Sequence, residues 1–279
     1  MSTPQTVLLG AIAGFTIFLG LPAGRMRSES FRLKTFLTGV SAGILVFLLF
    51  DILENATGPL EDAVNAVRDT HHGWGHLVAT GSVYAGGITF GLMGLLYVSR
   101  MWRNRKAQAS LGPGAMAIAE ADARSAREHE LLHLGMSIAL GIGLHNFSEG
   151  LAIGQAAHSN KVSLALLLVI GFGLHNATEG FGIIGPLAAG NVRASWKWLG
   201  IAGLIGGGPT FLGTLLGTMV TSELLFVGFL ALAAGAILYV IGELFAAGRR
   251  LSWDWMLWGI LLGFLAGLAT DMILVAAGA

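Results

Sequence analysis

Two stretches of this sequence repeat one phrase: GIGLHNFSEGLAIG at residues 141–154 and GFGLHNATEGFGII at residues 171–184. Each carries a histidine, an asparagine and a glutamate in the pattern H-N-x-x-E-G, and the copies are 30 residues apart. On an α-helix, which turns about 100° per residue, Glu149 falls about 40° and Asn146 about 100° round from His145. The three side chains share one face within about one turn, and His175, Asn176 and Glu179 do the same. An imidazole nitrogen, a carboxylate and an amide oxygen on one stripe form half of a divalent-metal site, and two such helices side by side complete it.

Both copies lie inside long apolar runs, and there a carboxylate needs an explanation. An ionisable group at the middle of a bilayer costs about 2.5–3.5 kcal/mol or more and normally has a partner. The usual partner is Lys or Arg, yet none occurs at 128–160 or 162–192. The compensating charge is then a proton or a cation. A single buried His is more often hydrogen-bonded structure than ligand; the repetition is what favours the metal.

The elements that must hold these residues are membrane helices. Of 279 residues, 54% are hydrophobic and only 11% are charged, and mean hydropathy is +0.72. Such a chain is an all-α polytopic membrane protein. The net charge of zero gives nucleic acid nothing to bind, and the absence of cysteine excludes thiolate metal sites and disulfides. The 42 glycines, with few prolines, suit close helix packing.

Hydropathy places eight spans, at about 7–23, 35–55, 76–99, 131–157, 162–188, 198–220, 224–247 and 255–276, in one transmembrane domain. The first has no basic segment ahead of it and reads as a span, not a cleaved leader. Span 2 ends on Asp51 and Glu54, three residues apart on one face. An acidic loop follows at about 56–75, with Asp69, His71 and His72, and His76 lies just beyond; loop histidines of this kind are usually just solvated, though they could collect metal. Residues 100–130 form a charged loop broken at SLGPGA, and the part after the break, AIAEADARSAREHE, reads as a solvated helix. Basic residues fix the orientation: of the 16, only Arg68 and Lys161 fall outside the set of loops that follows spans 1, 3, 5 and 7. By the positive-inside rule that set is cytoplasmic, the 100–130 loop included, and both termini are extracytoplasmic. Spans 4 and 5 are consecutive and antiparallel. One motif on two antiparallel helices implies a local twofold axis in the membrane plane, an arrangement of transporters with a site at the midplane. Transport is then expected to be gated by a conformational change.

His129-Glu130-x-x-His133 matches the H-E-x-x-H pattern of zinc proteases. It gives an alternative reading as an intramembrane metalloprotease with Glu130 as general base. Its place at the mouth of span 4, after a charged run and with no marked third ligand, favours instead a solvated helix start or a stop on a metal's exit path.

At the double H-N-x-x-E-G the sequence resembles the ZIP family of metal-ion transporters, and the resemblance covers essentially the whole chain. It implies inverted repeats of spans 1–3 and 6–8 around central spans 4 and 5, with His145, Asn146, Glu149, His175, Asn176 and Glu179 lining the site. It implies a transporter and not an enzyme, with Zn²⁺ as the first substrate and Fe²⁺, Mn²⁺ or Cd²⁺ as others, carried into the cytoplasm by a homodimer in the plasma (inner) membrane. Asp51, Glu54 and Asp271 then lie on the entrance side, and Glu243, with His129 and His133, on the exit side. The sequence departs from the family's pattern in carrying Ser148 and Thr178 where proline often precedes the motif glutamate. It also has Thr210, in GGGPTFLGTLLG, near where many members place a bridging carboxylate. One metal, or a weak second site, is the expectation.

Overall fold

The computed structural model describes residues 2–25, 30–107, 116–158, 162–219, 222–249 and 252–277. All regular structure among them is helical: α1 Thr3–Phe15, α2 Ile17–Gly20 with a 3₁₀ turn at Leu21–Arg25, α3 Phe31–Thr70, α4 Trp74–Ala107, α5 Met116–His158, α6 Val162–Ala189, α7 Trp196–Gly217, α8 Glu223–Arg249 and α9 Trp253–Ala277. Seven segments among the described residues are long and apolar enough to cross a bilayer; α6, with 28 residues, also has the length. The protein is an all-α polytopic membrane protein.

Local chemistry sets several boundaries. Ser30 caps α3 by accepting the Leu33 N–H at 3.4 Å, and Ser195 caps α7 by accepting the Trp198 N–H at 3.1 Å. α3 stops where His71 turns left-handed at φ 58°, just before Gly73 at φ 92°. Asn191, at φ 57°, makes the turn between α6 and α7.

Three elements differ from the sequence expectation. The acidic loop expected at about 56–75 is mostly helix, because α3 continues to Thr70. Its Ala56, Ala63 and Val67 are buried, and Thr57 Oγ1 lies 3.3 Å from Tyr84 Oη on α4. Packing one face against α4 keeps the segment helical despite Pro59. The charged loop expected from residue 100 begins later, because α4 runs on to Ala107; the helix expected after SLGPGA is present as the start of α5, and residues 108–115 lie outside the described residues. The first span, expected as one helix, is interrupted at Thr16.

The core lies among α3, α5, α6 and α8, where Leu45, Leu48, Ile52, Ile138, Ile142, Ile183, Ile237 and Leu244 are fully enclosed. α4 and α9 are peripheral and turn Phe90, Tyr97, Leu261, Leu265 and Ile273 outward, as helices against lipid do.

The packing has an internal twofold. α3 packs along α9 as α8 packs along α4, and α5 packs along α7 as α1 and α2 pack along α6. The close approaches coincide residue for residue. A Cβ on Gly43 would strike the carbonyl of Ile260, and one on Gly235 the carbonyl of Ile88. Gly263 meets Val40 O as Gly91 meets Leu232 O. Where α1 crosses α7, Gly14 and Gly207 each face the other's carbonyl, so the axis passes between them. The consecutive central helices α5 and α6 exchange under this axis, which makes the repeats inverted.

Candidate metal centre

The motif residues sit in the middle of this crossing. His145, Asn146 and Glu149 on α5 are 3%, 0% and 6% exposed, and Asn176 and Glu179 on α6 are both 0% exposed. Full burial is what turns these polar groups into a site, since each must find a partner or bind an ion. The backbone of His175 lies on α6 in register with His145, but its side chain is outside the described ones.

Within α5, His145 Nε2 is 3.3 Å from Glu149 Oε1, the i,i+4 contact expected from the helix turn. Between the two helices, Asn146 Nδ2 donates to Glu179 Oε2 at 3.1 Å. The same nitrogen donates to Gly206 O on α7 at 3.0 Å. Asn176 Nδ2 donates to Ala13 O on α1 at 3.1 Å. Glu149 and Glu179 act on each other electrostatically, and His145 acts on both. Several oxygens are left facing inward with no protein hydrogen bond: Glu149 Oε2, Asn146 Oδ1, Asn176 Oδ1 and the hydroxyls of Ser148 and Thr210. Carboxylate and amide oxygens beside an imidazole form a borderline-to-hard donor set with no sulfur. Among the described residues no three His, Asp or Glu side chains converge as a finished metal cage; amide oxygens and His175 stand outside that count.

The flanking residues divide. Asp51 on α3 acts electrostatically on His145 and is itself acted on by Asp271 and Glu54. Asp51 and Glu54, in the middle of α3, and Asp271, near the end of α9, are thus coupled electrostatically to the motif. Asn55 Nδ2 holds Asp51 Oδ1 at 3.2 Å. Glu243 on α8 is half-buried. His129, Glu130 and His133 are all exposed along α5, and no third metal-ligating side chain joins them among the described residues. The protease alternative has no support in this arrangement. Of the loop histidines, His76 Nε2 pairs with Glu223 Oε1 at 3.1 Å, and Asp69 pairs with Arg68 at 2.8 Å.

The glycine that ends each H-N-x-x-E-G motif was visible in the pattern, but its role was not. A Cβ on Gly150 would collide with Thr210 O of α7, and one on Gly180 would crowd Ile17 O of α2. These glycines let the flanking backbones come close enough for Gly206 O and Ala13 O to reach the asparagines. The sequence holds the signal, because the two Gly positions are also 30 residues apart, but it does not hold the partners.

A family model described as ZIP Zinc transporter matches residues 99–269, which include both motif copies and α5 to α8. This chain belongs to the ZIP family. Like that family, it is a divalent metal-ion transporter. A zinc transporter ZupT of Shigella dysenteriae serotype 1 (strain Sd197) is 30% identical over 258 residues, 90% of this chain and 88% of that protein. A zinc transporter ZupT of Escherichia coli O7:K1 (strain IAI39 / ExPEC) is 32% identical over 242 residues, 84% of this chain and 82% of that protein.

Proposed function

We propose that this ZIP protein carries Zn²⁺ into the cytoplasm through a single site at the crossing of α5 and α6. His145, Asn146, Glu149, His175, Asn176 and Glu179 are its ligands. The observation that carries the reading is the pair of enclosed glutamates on helices that bring no Lys or Arg to bilayer depth. Two carboxylates enclosed together in low dielectric repel unless a proton or a cation offsets their charge, and the paired ligand sets favour the cation. The relatives' description as zinc transporters supports zinc, and the mixed N/O donors also accommodate Fe²⁺, Mn²⁺ and Cd²⁺.

The cation enters past Asp271, Glu54 and Asp51, whose charges couple in series to His145, and leaves past Glu243, His133 and His129. The basic loops place both termini outside the cytoplasm and the α4–α5 connection within it. In accord with this, Arg25 stacks 4.6 Å over Trp196, and Arg32 lies 5.9 Å over Trp255, at one end of the bundle. Arg25 also donates to Ala194 O at 2.8 Å. The protein is assigned to the inner membrane as a homodimer on the family resemblance. A thiolate-free site with Thr210 and no carboxylate in the neighbouring stretch of α7 suits one metal rather than two.

Metal uptake into proteoliposomes tests the reading. Zn²⁺ flux that saturates in wild type and falls to the level of empty vesicles in Glu149→Ala and Glu179→Ala is the expected result. Flux that persists in both variants, or that rises linearly to millimolar Zn²⁺, would overturn it.

A further inference from the structure

The two asparagine amides are held by main-chain carbonyls at equivalent places on the flanking helices, one just before a break and the other just before an internal proline. α1 breaks at Thr16. Thr16 N donates to Ala13 O at 3.4 Å and Leu19 N to Thr16 O at 2.9 Å, i to i−3 bonds that tighten the chain across the break. The Thr16 hydroxyl donates to Ala13 O at 2.6 Å, and Asn176 Nδ2 reaches that same oxygen. A threonine hydroxyl bonded back to the preceding turn bends a helix.

The twofold carries Ala13 to Gly206, and three residues beyond Gly206 stands Pro209 where three beyond Ala13 stands Thr16. A proline inside a helix has no N–H for the carbonyl four residues back and pushes that carbonyl away. Here that carbonyl is Ile205 O, and it faces Gly143 so closely that a Cβ there would collide with it. The next carbonyl, Gly206 O, takes the Asn146 amide. A Cβ on Gly143 would lie 3.3 Å from the Pro209 ring, and one on Gly173 would lie 3.5 Å from Thr16 Cγ2. Each motif helix thus rests against its neighbour at Thr16 or Pro209.

We propose that Thr16 and Pro209 are positioning residues: each holds a main-chain carbonyl, Ala13 O or Gly206 O, turned toward the Asn176 or Asn146 amide and so aims that amide's oxygen at the transported cation. A carboxamide is planar, so committing its nitrogen fixes the direction of its oxygen. Both nitrogens are committed to protein acceptors, and both oxygens are enclosed with no protein donor. Such an oxygen suits a divalent cation, for which amide carbonyls are ordinary ligands. The inference rests on the metal reading of the motif given above. The two devices differ in kind. The proline's missing N–H is permanent, whereas the threonine's effect depends on one hydroxyl that an isosteric valine lacks.

The test uses the full chain, purified and in proteoliposomes, with Zn²⁺ as the probe. Thr16→Val and Pro209→Ala are expected to weaken Zn²⁺ binding and raise KM for flux by about tenfold or more, the range seen when a group that orients a metal ligand is removed. Thr16→Ser, which keeps the hydroxyl, is expected to restore wild-type binding. Thr89→Val serves as the control, since Thr89 makes the same kind of backbone bond on exposed α4. Infrared difference spectra of protein carrying ¹³C-labelled asparagine side chains supply a readout that a merely structural role does not move. Zn²⁺ should shift the amide carbonyl band in wild type and Thr16→Ser, and shift it less in Thr16→Val and in Asn176→Ala. Wild-type affinity and a wild-type band shift in both Thr16→Val and Pro209→Ala would overturn the proposal. So would equal losses in Thr16→Val and Thr16→Ser. Failure of the metal reading is distinguishable, because wild type itself would then show neither flux nor band shift.

Discussion

The two copies of the motif are alike in their packing and unlike in their polar bonds. Gly150 and Gly180 bring α7 and α2 to the same distance class from the central helices, and Asn146 and Asn176 each bind a carbonyl of the flanking helix. Beyond that the symmetry fails. Asn146 also crosses to Glu179, whereas no bond from Asn176 to Glu149 appears among the described residues. Within its own helix Glu149 is met by His145. Apolar and backbone contacts therefore set a twofold scaffold, and the polar atoms inside it choose one of two mirror arrangements. That difference teaches how an inverted repeat can present a cation with a directional site: the frame can be exchanged, but the ligands are occupied unequally.

The comparison can be broken most sharply at the glutamates. Glu149→Ala and Glu179→Ala should each reduce Zn²⁺ flux by about a hundredfold or more, because each leaves the other carboxylate and a buried cation short of charge. A variant retaining a third of wild-type flux would show that its copy is ornamental. The asparagines sharpen the contrast. Asn146→Ala deprives both Glu179 and Gly206 of a donor, so it should lose more stability than Asn176→Ala; each buried group left unsatisfied costs about 1–3 kcal/mol. Thermal denaturation in detergent gives the order, and the opposite order would remove the asymmetry. Smaller again is the effect of a methyl group at the packing contacts. Gly150→Ala and Gly180→Ala should destabilise by about 1–3 kcal/mol as backbones are pushed apart. Gly182→Ala, whose added Cβ finds nothing nearer than 3.9 Å, should be close to neutral in the same assay.

Proton competition offers a gentler probe. The ligating imidazoles and carboxylates must be deprotonated to bind, so Zn²⁺ affinity should fall as pH is lowered. If both copies contribute, single His145→Ala or His175→Ala substitution should flatten that dependence and not abolish it. An affinity that rises on acidification would contradict the ligand set. The smallest effect is expected at the other histidine pattern. Glu130→Gln should leave flux within about twofold, since an exposed side chain away from buried features seldom matters; loss of flux there would return attention to His129 and His133.

Much of this was legible before any coordinate. Hydropathy and charge counting mark a polytopic helical protein, because a bilayer allows little else. The duplicated H-N-x-x-E-G marks the buried site, because carboxylates at that depth need a reason. What could not be read are the partners. Nothing in residues 11–20 announces that Ala13 O would be taken by Asn176, since backbone carbonyls carry no sequence signature. Pro209 signals a disturbed helix, but its counterpart Thr16 does not, being a residue that also sits quietly in regular helices. The extension of α3 was obscured by Pro59 and by acidic residues that read as a loop; burial of Ala56, Ala63 and Val67 against α4 overrides them.

That extension has a practical consequence. α3 is 40 residues long, about 60 Å of continuous helix against a hydrocarbon layer of about 30 Å. Braced by the start of α4, it stands clear of the lipid as a stiff post. A binding protein raised against residues 61–73 would therefore mark one side of the membrane. Whether it labels intact or permeabilised vesicles reports directly which way the carrier was inserted.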